Sequence, residues 1–535
     1  MAFANISNTK QTVLKLYNLR YNWALKFDFF LRQESQMLKI AIIGGGPAGL
    51  SVCIQLMKNF IASNVKNIEI IVFEKNNKIG PGLPYKAHEP CHILNLPKEI
   101  MEPIFGETNK FSQWLNIKNP SMSTSFPSRY YFGEYLEAMA NDAQIEAEIN
   151  GLTITYLTDT EVFDIQENHT GIYQIVTSQS YYLADYTILC SGHMPSTQYN
   201  EFNDHPNFIH NPWDMHGYDK INPNKTIGII GTRLTAIDVA LKLRQMNHKG
   251  KMVMSSRSGL LPTVLGKEIP SYSLKYLNLE TIKEKSQKNG GLISLNEIWM
   301  LLKLELQHAD ITSHLSCIPS SSLEIPPFQW INNEILEAES GARAWQQVLF
   351  ALYPLTPNIW PMLSLADQDK FIKHYNSLFI TYLAAFPLEN AYKIRNMISS
   401  NLLEIHGQLA RVSYKNQKFK MKFTNQDDIH LDYLINATGP GYDPSTISLY
   451  EKMLSQGLIM KHLFGGIDVV RETLQTLRKN GSVNPTLFAL GELTKGTYFL
   501  TTDLGRVTEQ AHKVSQFIAQ SMITVKTSQM HYTIS

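Results

Sequence analysis

The chain has 535 residues, too long for one average core, and its 48 basic and 47 acidic residues leave a net charge of +1, so nothing in the global field favours nucleic acid or an anionic membrane. Hydrophobic residues make up 44% of the chain, an ordinary globular share, and no apolar run approaches the roughly 20 residues of a membrane span. The four cysteines, Cys53, Cys91, Cys190 and Cys317, stand too far apart for a disulfide framework, a structural zinc site or a redox dithiol, and read as small buried hydrophobes of a cytoplasmic protein.

Residues 1–36 are mixed, without the compact apolar core and cleavage site of a secretory signal. Met37 stands directly before the first strand, so a start at that residue and a helical arm before it are both open readings. From Lys39 to Asn59 the text KIAIIGGGPAGLSVCIQLMKN predicts a strand, a tight turn and a helix. Gly44, Gly46 and Gly49 match GxGxxG, and a second apolar run, Ile68 to Phe73, ends at Glu74. That order is the signature of a dinucleotide site. The glycines let the backbone approach a pyrophosphate, the helix N-terminus supplies N–H donors, and the acid accepts from ribose hydroxyls.

A second unit of the same design begins at Lys225, with a turn at Gly231, a helix bearing Leu234, Ile237, Val239, Leu241 and Leu243, and a strand from Lys251 to Ser255. Each unit is followed later by a strand closing in a small-residue turn, at Gly192 in CSGHMP and at Gly439 in NATGPGYDP. The second unit carries the longer intervening stretch, Tyr272 to Asn401, which reads as a helical insertion. A last strand reaches Gly491 and Glu492, and a helix from about Val507 to Met522 returns the chain to the first unit. The expected fold class is α/β, with two Rossmann-like dinucleotide-binding domains. The first covers 37–212 and 446–535, the second 213–271 and 402–445, with the insertion at 272–401 and an extension at 1–36.

The order of GGGPAG, CSGHMP, GTRLTAID, NATGP and LFALGELTKG resembles the flavoproteins with two dinucleotide-binding domains. It is most similar to the FAD/NAD(P)-binding group related to flavin-containing and N-hydroxylating monooxygenases, in the bacterial branch with urate hydroxylases and an aspartate N-monooxygenase. The resemblance runs from about Leu38 to Ala519. It implies FAD at Gly44, Gly46 and Gly49, and a nicotinamide nucleotide at Gly231. It places Asn95, in CHILNLPKEIMEP, beside the isoalloxazine as a catalytic amide; the alternative is an Asn that caps the turn before Pro97. Arg129 is expected either on FAD phosphate or substrate, or on the surface. Glu492 stands where the group often has Asp, and is expected on the ribityl hydroxyls.

Two further expectations concern the nucleotide. Arg233 replaces the second glycine of the second turn, so its side chain either bonds the pyrophosphate or blocks it. Ser256 and Arg257 stand where an acid would select NADH, and an Arg there suits the 2′-phosphate of NADPH. The chemistry implied is an NADPH-dependent monooxygenase that hydroxylates a small nucleophilic substrate through a flavin hydroperoxide, with molecular oxygen as co-substrate. A flavin dehydrogenase or reductase without oxygen insertion and a non-catalytic FAD-binding module are the alternatives. No metal is expected, since His88 and His92, the nearest approach to a ligand pair, fall in a Pro-containing loop. Trp330, Trp345 and Trp360 read as core of the insertion.

Overall fold

The computed structural model describes residues 37–86, 90–268, 270–309, 325–341 and 343–532. The extension at 1–36, His88 and Cys317 lie outside the described residues.

Two sheets organise the chain. The first has the strand order β16-β17-β7-β1-β2-β3, where β1 is Leu38–Ile43, β2 Ile68–Phe73, β3 Thr153–Leu157, β7 Tyr186–Leu189, β16 Gln475–Leu477 and β17 Val483–Ala489. All neighbours are parallel except β16 and β17. Ile40, Ile42, Ile70 and Val72 have no exposed surface, as strands covered on both faces require. Helix α1, Pro47–Ala62, and helix α2, Arg129–Ile149, flank this sheet, and α3, Leu234–Gln245, serves the second. The long last helix α4, Leu504–Tyr532, lies along α1, where Gln55 Nε2 donates to the Thr508 carbonyl at 3.3 Å and Asn59 Nδ2 to Ser515 Oγ at 3.1 Å.

The second sheet has the order β11-β10-β9-β15-β8 and is parallel throughout. Its strands are β8 Phe208–Ile209, β9 Ile227–Ile230, β10 Met252–Ser255, β11 Leu403–His406 and β15 Tyr433–Asn436. Each unit also carries an antiparallel three-stranded meander before its closing strand. These are β4 Val162–Glu167, β5 Tyr173–Thr177 and β6 Tyr181–Ala184 in the first unit, and β12 Leu409–Lys415, β13 Lys418–Phe423 and β14 Ile429–Leu431 in the second. The two units are thus repeats of one design, which accounts for the repeated order of sequence motifs.

The stretch between β10 and β11 is helical and serves two cores. Helices Pro327–Glu339 and Leu388–Ser399 give Trp330, Ile331, Ile335, Ile394 and Met397 to the core of the second sheet. The remaining helices build a core of their own with Leu301, Val348, Ile359 and Trp360, and this core takes in Phe499 and Leu500 from the returning C-terminal segment. Trp360 stacks on Phe499 at 4.6 Å between centroids and donates its indole N–H to the Gly496 carbonyl at 2.8 Å. A buried aromatic stack of this kind contributes about 0.5–1.5 kcal/mol beyond its area. The insertion is therefore docked on the segment that follows Glu492.

Candidate active site

The first glycine turn is built by close backbone approach. Gly44 has φ +107°, and a Cβ there would lie 2.5 Å from the Cys190 carbonyl oxygen; at Gly49 it would lie 1.9 Å from that of Gly44. No side chain can occupy either place. A Cβ on Gly46 would come no closer than 3.4 Å, to Gly82 Cα, so this position is kept open toward the helix end. Gly46 is the N-cap of α1 and no side chain caps the helix, which leaves its first N–H groups available to an anion.

Glu74 lies at the end of β2. Its Oε2 accepts from Gly45 N at 2.8 Å, and its Oε1 accepts from Asn76 N at 2.9 Å and from the Asn76 side-chain amide. The carboxylate holds the glycine turn in shape, and Oε2 keeps a lone pair for a further donor.

The closing turns of the two units touch. Gly441 N donates to the Met194 carbonyl at 2.9 Å, pairing the loop after β7 with the loop after β15. Gly192 at φ +74° and Gly439 at φ +93° have open space where a Cβ would stand. At this junction lies Glu492, 4% exposed, and neither of its carboxylate oxygens accepts a hydrogen bond from the described residues. His193 Nδ1 is 3.6 Å from Oε1. Burial raises the Glu492 carboxyl above its ordinary range, against the pull of His193 and Lys495. Burial also pushes the Lys495 ammonium down to about 8, opposed by Glu492. Lys495 Nζ stands over the rings of Tyr442 at 4.9 Å and Phe499 at 4.8 Å. Gly491, at φ +71°, is held by its N–H donating to Gln510 Oε1 at 2.6 Å.

In the second turn Gly231 has φ +124° and backs onto the Ala437 carbonyl, which a Cβ would approach to 2.4 Å. Arg233 is the N-cap of α3. Its guanidinium is turned to the insertion, donating to the Ser377 carbonyl at 2.5 Å and Ser377 Oγ at 2.6 Å. The expectation offered pyrophosphate contact or obstruction, and Ser377 is a third partner that local sequence did not disclose. Ser256 Oγ shapes the turn, accepting from Gly259 N at 2.8 Å and lying 3.0 Å from Thr232 Oγ1. Arg257 is exposed and its side chain has no hydrogen-bond partner among the described residues.

Arg129 is not on the surface, which corrects one of its two expected places. It is 7% exposed and its guanidinium grips Asp238 of α3, Nη1 to Oδ2 at 2.8 Å and Nη2 to Oδ1 at 3.3 Å. A buried guanidinium needs a carboxylate partner, and the acid of GTRLTAID supplies it. Asp238 went unread because an acid between Ile237 and Val239 carries no local sign of a distant partner. Asn95 is half-buried, and its side chain makes no hydrogen bond with the described residues. Tyr442, Lys495 and Ser377 also escaped the sequence reading. Among the described residues no cluster of three or more His, Cys, Asp or Glu side chains is arranged to hold a metal.

Residues 41–194 match the family model described as FAD-NAD(P)-binding. No curated protein matches the sequence. Among solved structures the chain is similar to L-lysine 6-monooxygenase from Pseudomonas syringae, with TM-score 0.58 and 12% identity over 90% of this chain and 99% of that one. It is also similar to an ornithine hydroxylase from Pseudomonas aeruginosa, with TM-score 0.57 and 12% identity over 91% of this chain and all of that one. A cadaverine monooxygenase from Erwinia amylovora, solved with FAD, gives TM-score 0.54 and 13% identity over 90% and 94%. The expected fold class holds, and the matched residues 41–194 fall within the first unit. The likeness to the N-hydroxylating flavoproteins, first drawn from motifs, extends over nine-tenths of the chain as a likeness of fold.

Proposed function

We propose that the protein is an FAD-dependent oxidoreductase that draws its electrons from NADPH and uses them, with molecular oxygen, to hydroxylate a small nucleophilic substrate. The observation that carries the reading is the buried Glu492 carboxylate, with no donor among the described residues, set where the closing turns of the two units meet. Burying an unpartnered acceptor is costly, and a cofactor bearing hydroxyl groups would supply what the protein withholds. The uncapped end of α1 and the open position at Gly46 fit a pyrophosphate. Bound there, FAD would supply two-electron transfer and reaction with oxygen.

The chain's own residues then divide the work. The N–H groups of α1 hold the pyrophosphate, Glu74 keeps the turn in shape, and Glu492 accepts from hydroxyls. Arg257 meets the 2′-phosphate of NADPH. Asn95, whose side chain has no hydrogen-bond partner among the described residues, offers an amide to the reacting edge. The insertion, seated by Trp360 on Phe499, borders Lys495 and shapes the approach of substrate. Hydroxylation is favoured over plain dehydrogenation because the similar structures are named for hydroxylation of ornithine and lysine. Among the described residues no helix is long and apolar enough to cross a membrane, and we place the protein in the cytoplasm.

The visible spectrum of the purified protein tests the cofactor. NADPH oxidation with and without oxygen, with peroxide and hydroxylated product both counted over amino acids, polyamines and purines, tests the reaction. Anaerobic flavin reduction with no oxygen-dependent product would make it a dehydrogenase, and a colourless protein that takes up no FAD would refute the reading.

A further inference from the structure

We propose that Arg129 is a positioning residue that ties the Asn95 segment to the nucleotide-binding unit, so that the placement of helix α3 sets where Asn95 stands. The proposal rests on the reading that Asn95 faces the flavin. It is carried by a set of contacts that converge on one short segment from both units.

From the first unit, Arg129 N donates to the His92 carbonyl at 2.8 Å and Arg129 Nε donates to the Ile93 carbonyl at 3.0 Å, two residues before Asn95. Leu94 N donates to the Pro127 carbonyl at 2.9 Å, and Ile93 bridges to Ser128, the N-cap of α2. From the second unit, the Asp238 carboxylate takes both outer nitrogens of the same guanidinium. The Asp238 carbonyl lies 3.1 Å from His92 Nε2, and Gln245 Oε1 accepts from Cys91 N at 3.1 Å. The guanidinium stands 6.0 Å from the Trp213 ring, on the passage between the units.

One planar cation thus fixes the carbonyl of Ile93 with its inner nitrogen and α3 with its outer two. A fork of this geometry leaves little freedom to either partner. The same helix begins at Arg233, the residue of the nucleotide turn. A displacement of α3 is therefore passed through Asp238 and Arg129 to the backbone beside Asn95. In a low-dielectric setting the pair cannot separate cheaply, so the two units move together at this point.

The test uses the FAD-loaded protein, two variants of the Arg129–Asp238 pair, a control variant and Asn95→Ala. Asp238→Asn keeps shape and removes the charge; Arg129→Lys keeps the charge and removes the fork, and serves if the first variant fails to fold. Glu334→Gln, which breaks a buried ion pair with Arg343 away from this segment, reports the effect of lost stability alone. Hydrogen exchange of the backbone over residues 91–97 is expected to rise about tenfold in either variant, with the Gly44 turn unchanged. The limiting rate of anaerobic reduction is expected to fall about tenfold or more with the NADPH KM nearly constant, since a misplaced group slows chemistry rather than binding. Adding Asn95→Ala to either variant should then slow reduction by a much smaller factor than it does in the wild type. Exchange that stays unchanged over 91–97, or that rises evenly as in Glu334→Gln, overturns the proposal. So do fully multiplicative effects of Asn95→Ala. Local exchange as expected in a protein that NADPH does not reduce would sink the proposed function and leave the link standing.

Discussion

His193 Nδ1 faces Glu492 Oε1 across 3.6 Å, and the Glu492 carboxylate has no hydrogen-bond donor among the described residues although it is 4% exposed. The carboxyl is raised by burial above its unfolded value of 4.5. Its contribution to stability is fully present below that value and is lost as pH rises through the folded one. Glu492→Gln should therefore melt higher than the wild-type apoprotein at neutral pH, with the gap closing as pH falls toward 4.5. The same variant should bind FAD more weakly, by about 1.5–3 kcal/mol for one charge-assisted hydrogen bond. Melting curves from pH 4 to 8 and FAD titration check both; an apoprotein destabilised by the substitution at pH 7 contradicts the account.

Gly46 and Gly49 should part company on substitution. A Cβ at Gly49 would meet the Gly44 oxygen at 1.9 Å, whereas at Gly46 the nearest atom is 3.4 Å away and φ is −71°. Gly49→Ala should not yield folded protein. Gly46→Asp should fold but abolish FAD binding, because a carboxylate then stands at the pyrophosphate place. Circular dichroism with flavin content separates the cases, and stoichiometric FAD in Gly46→Asp would remove this turn from the cofactor site.

Arg257→Ala should leave the melting temperature unchanged and erase most of the preference for NADPH over NADH, by about 1–3 kcal/mol. The side chain is exposed and joins no internal hydrogen bond among the described residues, so its removal costs the fold nothing. Anaerobic stopped-flow reduction with both nucleotides measures the preference. Equal wild-type rates would end the assignment.

Ser377→Ala should tighten NADPH, since it removes one of the two acceptors that hold Arg233 toward the insertion. The expected gain is small, about 0.5–1 kcal/mol, because the Ser377 carbonyl remains. Arg233→Gly discriminates between the two roles of that residue. Weaker NADPH binding in the variant identifies Arg233 as a phosphate ligand, and tighter binding identifies it as an obstruction that Ser377 holds in place. Calorimetric titration with NADP+ reads the sign, and no change in either variant would take Arg233 out of the nucleotide site.

The sequence by itself determined what depends on neighbours a few residues apart. A strand entering GxGxxG and leaving as a helix needs only the local absence of side chains at Gly44 and Gly49, and that absence is written in the chain. The repetition of the design at Gly231 and the closing turns at Gly192 and Gly439 were legible for the same reason. Tertiary structure alone decided which charges meet. Arg129 reads as a basic residue at a helix start, and only the approach of the first turn of α2 to α3 brings Asp238, more than a hundred residues away, to its guanidinium. Arg233 reads as a phosphate ligand or an obstruction, and only the docking of the insertion puts Ser377 within 2.6 Å. Glu492 and His193 follow strands that are distant in the chain and become neighbours because β17 pairs with β7 in register Ala489 to Leu189. Charge and hydrogen-bond partners are set by distances in space, and local patterning carries no record of them until the two sheets have formed and met.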